Sequence, residues 1–224
     1  MSKSGRVFRY SIRAVLSLCF LVCCVSSWIG VSYRGYLAEQ SVLARFDADV
    51  LQYKYCGPRW LRPALRRLGI FDRAVDVLIP EAAASDDWSD FFGRLHYVET
   101  LDIRSDNMDD ESLDGIEQWT GLEAVFICGA RFTRGVLGKV CYCKNLRDVA
   151  LWSMHMDRPS LTLISELPNI RSVELFDCTF QDPRDLSVLI DNDNIIALDL
   201  RWSMVDPEVI DFLKQRRADV AINW

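Results

Sequence analysis

The sequence predicts an α/β solenoid, with short parallel strands on a concave face and helices on the convex face, preceded by one transmembrane helix. Two observations carry this prediction. Apolar residues recur with a period of 24 through most of the chain, and an uncharged stretch of 18 residues lies near its beginning. The 224 residues are 50% hydrophobic and 26% charged, which is ordinary for a protein with a core.

The uncharged stretch, residues 14–31, comes close to the roughly 20 residues that cross a bilayer. Four basic residues precede it, and no acidic residue comes before Glu39. Basic residues favour the cytoplasmic side of a membrane. We therefore predict a basic cytoplasmic N-terminus (1–13), a transmembrane anchor (14–33) and a repeat domain on the periplasmic or extracytoplasmic side.

Three other interpretations compete with an uncleaved anchor. A cleaved signal peptide has similar basic and apolar regions, but no convincing small-x-small cleavage site follows them. A lipoprotein signal needs a small residue before its cysteine, whereas Leu18 precedes Cys19 and Val22 precedes Cys23. A buried core helix is the third, and the absence of a polar face suits a membrane better than the surface of a domain.

The repeat begins with a six-residue apolar pattern. Its four clearest copies start at residues 98, 122, 146 and 170. A fifth copy starts one residue late, at Ile195, and a weaker first copy lies at Ala74, Val77 and Ile79. Six units in a shared register predict short strands whose alternate side chains enter one core.

The second half of each unit is predicted to be helical. Leu113, Ile116 and Trp119 follow one another at helical spacing, as do Leu161, Ile164 and Leu167. Asp182-Pro183 and Asp206-Pro207 predict helix starts, because proline is favoured at the first position of a helix. One unit cannot bury its apolar face alone, so the units are expected to stack.

This pattern resembles that of leucine-rich repeat proteins, L-x-x-L-x-L followed by a turn and a helical segment, over about residues 74–224. The resemblance implies a short horseshoe arc. That family usually has Asn or Cys three residues after the last strand leucine, where this chain has Asp106, Ala130, Met154, Cys178 and Ser203. We therefore expect the usual asparagine ladder to be absent or replaced.

Both ends of the repeat domain are predicted to be capped. Residues 34–73 are expected to form a juxtamembrane helix (36–46), a strand (50–55) and a further helix that opens at Gly57. Residues 220–222 predict a last strand, with Trp224 covering the core. The whole layout resembles small membrane-anchored leucine-rich repeat proteins of planctomycete bacteria, which implies placement and fold rather than an activity.

Exposed strand positions line the concave surface, where solenoids commonly bind ligands. Phe126, Trp152 and Phe176 are predicted to form an aromatic patch on three adjacent strands, flanked by Arg104 and Arg201. Aromatic residues and arginine are the usual anchors of protein interfaces. The alternative is that these rings only pack on one another or under the flanking loops.

Charge and motifs argue against several other functions. The formal net charge is −6, and the basic N-terminus leaves the rest of the chain more acidic still, which disfavours nucleic-acid binding. Residues 106–111 superficially suggest calcium but lack the glycine and spacing of an EF-hand loop. Asp109 and Asp110 suit the first turn of a helix equally well. No metal or other cofactor is predicted.

The cysteines and histidines indicate no catalytic or zinc centre. Three of the eight cysteines lie in the anchor. The other five are an odd number, which fits an oxidising compartment poorly, and the sequence leaves their pairing open; they are Cys56, Cys128, Cys141, Cys143 and Cys178. The two histidines, His96 before a strand and His155 in a turn, are expected to be structural or solvated.

The leading hypothesis from the sequence is a membrane-tethered binding module without catalysis, which recognises another protein or a cell-envelope component through its concave face. The alternative is a structural envelope protein whose repeats self-associate without a specific ligand. An enzyme is a distant third hypothesis, because no hydrolase or nucleotide-binding motif is present. The sequence indicates neither the partner nor the oligomeric state.

Overall fold

The computed structural model describes residues 12–45, 49–56, 72–80, 88–105, 107–129 and 131–224. Its main sheet has eight strands in the order β1-β2-β3-β4-β5-β7-β9-β10. The strands span Asp49–Tyr55 (β1), Asp72–Ile79 (β2), Thr100–Arg104 (β3), Ala124–Cys128 (β4), Asp148–Trp152 (β5), Ser172–Phe176 (β7), Ala197–Asp199 (β9) and Ala221–Asn223 (β10). A separate parallel pair is formed by His155–Met156 (β6) and Thr179–Phe180 (β8).

The strands from β2 to β10 run parallel, and each pairs one repeat further along the chain. Leu101 pairs with Val125, and Val125 pairs with Val149. The one-residue slip predicted before Ile195 is present, because Val173 pairs with Leu198. The predicted solenoid of short parallel strands is therefore confirmed, and β1 adds an antiparallel strand at its N-terminal edge.

Helices return the chain between the strands. They span Ile12–Arg45 (α1), Ser89–Arg94 (α2), Arg134–Val140 (α3), Arg158–Ser165 (α4), Ser187–Ile190 (α5) and Pro207–Arg216 (α6), with 3₁₀ turns at Glu111–Leu113, Ile116–Gln118 and Pro183–Leu186. Asp157 begins α4 by accepting a hydrogen bond from the Ser160 amide at 2.9 Å. The starts predicted at Pro183 and Pro207 are confirmed.

One unit departs from the predicted α-helix. Leu113 and Ile116 lie in two separate 3₁₀ turns, because Gly115 between them has a φ of 100° and interrupts a right-handed helix. Both side chains are nevertheless buried, as is Trp119, whose indole N–H donates to the Phe92 carbonyl at 2.8 Å. The helical spacing correctly predicted burial there but not the type of helix.

The core runs without a break along the sheet. Each strand contributes two inward side chains, and these are fully or almost fully buried in Leu101 and Ile103, Val125 and Ile127, Val149 and Leu151, and Val173 and Leu175. The residues between them face the opposite side. This alternation follows from the two-residue period of a strand, and it places the exposed positions of successive repeats side by side.

The expected loss of the asparagine ladder is confirmed, and other bonds replace it. Ser203 Oγ accepts a hydrogen bond from the Cys178 amide at 2.9 Å and donates to the Leu175 carbonyl at 2.7 Å. The Cys178 thiol donates to the Leu151 carbonyl at 3.5 Å. Asp106 and Ala130 lie outside the described residues. Side chains at this position therefore still tie neighbouring repeats together, through a hydroxyl and a thiol.

Asparagines do form a ladder, at a different position that was not predicted from the sequence. Each of Asn145, Asn169 and Asn194 comes just before a strand, and the three strands are successive in the sheet. The asparagine side-chain amides donate to the carbonyls of Thr120, Lys144 and Pro168 in the preceding unit, at 2.6, 2.8 and 3.2 Å. The amide ladder of this solenoid lies at the start of the strands, and the spacing of these asparagines was the signal for it.

The N-terminal region differs from the prediction in one respect. The apolar stretch and the predicted juxtamembrane helix are a single helix of 34 residues, α1, without a break at residue 36. Its last turns cover the first repeat, where Val42 and Leu43 are buried in the core. The strand predicted at residues 50–55 is confirmed as β1, and the helix predicted to open at Gly57 lies outside the described residues.

The strand predicted for the C-terminal cap is confirmed, but the prediction that Trp224 covers the core is wrong. β10 pairs in parallel with β9, as residues 220–222 predicted. Trp224 does not cover the core, because its side chain is 57% exposed and lies beneath the Lys214 ammonium, 5.9 Å from the ring centroid. Val220 and the half-buried Ile222 close this end of the core instead.

Candidate functional site: a concave aromatic cavity

The outward side chains of β3, β4, β5 and β7 form two rows across the concave face. The first row runs through Asp102, Phe126, Ala150 and Glu174, and the second through Arg104, Cys128, Trp152 and Phe176. A cavity of about 510 Å³ opens over these rows, lined by Ile127 and by every residue of the two rows except Ala150, which is buried.

One wall of the cavity belongs to a cluster of three aromatic rings. Trp152 meets Phe176 edge to face, with ring centroids 5.3 Å apart. Trp202 joins them, with its centroid 6.1 Å from that of Trp152 and 5.6 Å from that of Phe176. Phe176 is 5% exposed, whereas Trp152 and Trp202 are 41% and 69% exposed. The cluster thus has a buried base and an exposed rim.

Sequence reasoning missed Trp202, because it lies beyond the strand. Its backbone has a φ of 64°, and Ser153 and Asp177, at the equivalent point of the two preceding repeats, have φ values of 56° and 51°. This left-handed turn brings Trp202 back against the ring of Phe176. A bulky residue rarely adopts this conformation, which costs about 1–2 kcal/mol. Because three successive repeats share it, this conformation belongs to the turn that follows the strand in these repeats.

The five predicted site residues lie on the concave face, but not all lie in the cavity. Arg104, Phe126, Trp152 and Phe176 line it. Arg201 stands beside it, with its guanidinium carbon 5.3 Å from the ring centroid of Phe176. Phe126 is in register with Ala150 and not with the other two rings. The predicted continuous patch is therefore two groups, with the cavity between Phe126 and the three-ring cluster.

Both flanking arginines are already paired with carboxylates two residues earlier in the chain, Arg104 within β3 and Arg201 in the turn after β9. An Arg104 terminal nitrogen lies 2.7 Å from Asp102 Oδ2, and an Arg201 terminal nitrogen lies 2.9 Å from Asp199 Oδ2. Hydrogen bonding to these carboxylates raises the pKa of each arginine further. The positive charges that the sequence offered to a ligand are neutralised within the protein.

The carboxylates of this face have raised pKa values. Burial raises the pKa of Glu174, the negative charges of Asp199 and Asp148 raise it further, and the positive charge of Arg201 offsets part of this rise. The pKa of Asp148 is raised mainly by burial. Asp76 behaves in the same way, through burial and the nearby charge of Asp102. For each of these carboxylates burial is the largest cause, and it outweighs the arginines that act on Glu174 and Asp148.

The acidic residues that superficially suggested a calcium site have local structural partners. Asp109 accepts hydrogen bonds from the amide and hydroxyl of Ser112, at 3.0 and 2.8 Å, which fits the predicted start of a helical turn. Asp110 accepts from the Thr133 amide at 2.8 Å. Across the described ranges, no group of three or more potential metal ligands comes together.

Three thiols are enclosed by the repeats. Burial raises the pKa of Cys141 to about 11, that of Cys143 to about 12 and that of Cys178 to about 11. Each donates to a backbone carbonyl one repeat earlier or later. His155 lies in β6, not in the predicted turn, with its Nδ1 3.1 Å from Thr179 Oγ1, and His96 is exposed. The three thiols contribute to packing between repeats, whereas the two histidines are exposed.

No protein-family model matches the chain, and no curated protein matches it. Among solved structures, a leucine-rich repeat protein of Leptospira interrogans is 14% identical, with a TM-score of 0.42, over 61% of this chain and 33% of its own length. Internalin C2 of Listeria monocytogenes is 11% identical, with a TM-score of 0.34, over 77% of this chain and 92% of its own. The chain spans about a third of the Leptospira protein. The leucine-rich repeat fold itself is shown by the strand order and by the repeat-to-repeat register.

Proposed function

We propose that this protein is a membrane-tethered binding module that holds another protein of the cell envelope on its concave face and catalyses no reaction. The observation that carries the proposal is the cavity between Phe126 and the three-ring cluster of Trp152, Phe176 and Trp202. It combines a hollow of binding-site size with exposed tryptophan, the residue type most enriched in the energetic centres of protein interfaces.

The tether is supported by the surface of α1. Within it, the stretch from Val15 is apolar and long enough to cross a bilayer, with a mean hydropathy of 2.1 in its most apolar window. Leu16, Phe20 and Val31 are 63%, 73% and 70% exposed and meet little else in the described chain. Apolar side chains left open to this extent gain most from a lipid environment. The N-terminus is proposed to be cytoplasmic, with the repeats on the other side.

Crosslinking in the producing cells tests the binding face. A photoreactive residue is placed at Arg104, on the cavity wall, and separately at Gln215, an exposed position of α6 on the other side of the repeats. We expect the residue at 104, and not the one at 215, to crosslink to one distinct protein. Adding Trp152→Ala should abolish that crosslink. Crosslinks only to a second copy of this chain would support a self-associating structural protein and contradict the proposal.

Topology is tested in the same cells. We expect alkaline carbonate to leave the full-length protein in the membrane fraction, and added protease to digest the repeats in spheroplasts from which any outer envelope layer has been removed. Protection of the repeats until the spheroplasts are lysed would place them in the cytoplasm and overturn the proposed orientation. Release by carbonate would overturn the tether.

A further inference from the structure

The concave face has an excess of negative charge at the cavity. Glu174 and Phe126 both line the cavity, and they lie two strands apart in the same row. Arg104 forms an ion pair with Asp102, and Arg201 forms one with Asp199. Among the described residues, no lysine or arginine lies within ion-pair distance of Glu174, Asp148 or Asp76. Arg201 acts on Glu174 through space but pairs with Asp199, so within the described part of the chain Glu174 has no ion-pair partner of its own.

The shape of the cavity suits an elongated side chain with a positive end. Phe126 and Glu174 are two strands apart, which is about 9.6 Å at the usual strand spacing. The aromatic faces of Phe126 and Trp152 attract cations as well as aliphatic stems, since the negative face of a ring favours a positive charge. Arginine and lysine carry an apolar stem and a charged end, which matches rings along the wall and a carboxylate opposite.

We infer that the cavity binds an arginine or lysine side chain of a basic peptide segment, with Glu174 pairing with its charge and Trp152 packing against its stem. This inference rests on the proposed function and names the chemistry of the partner at that site. The acidic face repels an anionic polymer such as a phosphate-rich glycan. Arg201, over the rings of Phe176 and Trp202, shows the same cation-on-aromatic contact within the protein itself.

The test uses the full-length protein in detergent micelles, immobilised and exposed to a display library of random twelve-residue peptides. Wild type, Glu174→Gln and Trp152→Ala are selected in parallel, with Asp211→Asn on the exposed side of α6 as the matched control for loss of a carboxylate. We expect peptides enriched on wild type and on Asp211→Asn to contain arginine or lysine. On Glu174→Gln this basic preference should disappear.

The best selected peptide is then synthesised with its arginine or lysine and with the neutral counterpart, citrulline or norleucine. Wild type should bind the neutral peptide about tenfold to a hundredfold more weakly, as loss of a charge-assisted hydrogen bond predicts. On Glu174→Gln the two peptides should bind almost equally. The affinity should also fall as the salt concentration rises.

The outcomes separate this inference from the proposed function. Peptides that need Trp152 but contain no basic residue, or bind Glu174→Gln as well as wild type, would overturn the cationic side chain and leave the concave binding face standing. A library that enriches the same peptides on wild type and on Trp152→Ala would overturn both.

Discussion

Glu39 on the anchor helix and Arg73 on the first parallel strand form an ion pair inside the protein. Arg73 Nε lies 3.7 Å from Glu39 Oε2, and the two side chains are 7% and 5% exposed. Arg73 also donates to the Ser32 carbonyl at 2.8 Å, and Glu39 accepts from the Ala74 amide at 2.5 Å. The helix that leaves the proposed membrane is thereby fixed to the first repeat by charge as well as by packing.

Arg73→Met is expected to destabilise the protein strongly. It leaves the Glu39 carboxylate buried without its counter-charge, and removal of one partner from such a pair costs about 3–5 kcal/mol. Equilibrium denaturation of the full-length protein in micelles measures the loss. Arg45→Met is the matched control, because it removes an exposed ion pair to Asp90 and should cost no more than about 1 kcal/mol.

Adding Glu39→Gln to Arg73→Met should restore part of the stability, since the neutral amide removes the unpaired charge. Equal losses for Arg73→Met and Arg45→Met would show that the buried pair does not hold α1 on the repeats.

The period of the sequence was sufficient to predict the strands and the core. Apolar residues at fixed intervals can be buried together in only one register. Even the one-residue shift of the repeat before Ile195 could be read from the sequence. The continuity of α1 could not be predicted from the sequence, because its apolar half and its amphipathic half have different patterns. Only the contact of Glu39, Val42 and Leu43 with the first repeat shows that one helix serves both.

The strand residues of the candidate site could be predicted from the sequence, but its turn residue and its ion pairs could not. Phe126, Trp152 and Phe176 occupy strand positions whose direction follows from the alternation of the strand. Trp202 lies in a turn, and its contact with Phe176 depends on a left-handed backbone that a tryptophan seldom adopts. The pairing of Arg104 and Arg201 depends on rotamers that bring each side chain back to the carboxylate two residues earlier. The backbone conformation and the rotamers are determined by contacts in the folded protein.

Alanine at two glycines should have opposite effects on stability. A Cβ at Gly129 would lie 2.7 Å from the Ser105 carbonyl oxygen and 3.1 Å from the Phe132 ring, so the backbone must shift. We expect Gly129→Ala to cost about 1–3 kcal/mol, as overpacking does. Gly138→Ala is the control, because its Cβ meets nothing within 4 Å inside α3, and it should stabilise by about 0.5–1 kcal/mol.

Thermal or chemical denaturation of both glycine variants checks the sign. If Gly129→Ala left the stability unchanged, the turn after β4 would be able to shift without an energetic cost, which would contradict the prediction.

The enclosed thiols are expected to resist alkylation. With a pKa of about 12 for Cys143 and about 11 for Cys141 and Cys178, almost none of each thiol is the reactive thiolate at pH 8. Iodoacetamide followed by peptide mass spectrometry should modify these three residues slowly in the folded protein and completely after denaturation. Rapid modification of Cys143 in the native state would contradict its enclosure between repeats.

Ser203→Ala is expected to loosen the last repeats. It removes the acceptor of the Cys178 amide, in the turn after β7, and the donor to the carbonyl of Leu175 in β7, and both bonds are partly buried. Loss of partners for such groups costs about 1–3 kcal/mol. Ser153→Ala is the control, since it removes one exposed bond to Asp177 from the equivalent turn. Hydrogen exchange of the Cys178 amide should accelerate in Ser203→Ala and remain unchanged in Ser153→Ala.

Glu174→Gln should raise the melting temperature at pH 7. Burial and neighbouring carboxylates raise the folded-state pKa of Glu174 above its ordinary value of 4.5, so folding favours the protonated form. The favourable contribution is complete below pH 4.5 and is lost as the pH rises through the raised pKa. At pH 7 the charged side chain therefore opposes folding, and glutamine removes that opposition. Melting curves of the variant and the wild type should converge as the pH falls below 4.5.

Asp211→Asn on the exposed side of α6 is the control and should leave the melting temperature nearly unchanged at both pH values. A lower melting temperature for Glu174→Gln at pH 7 would mean that the carboxylate has a favourable partner within the fold, and the excess of negative charge at the cavity would be contradicted. If the variant is more stable and also loses the basic peptide, then Glu174 opposes folding at neutral pH and favours binding. That combination is expected of a side chain whose counter-charge is supplied by a ligand.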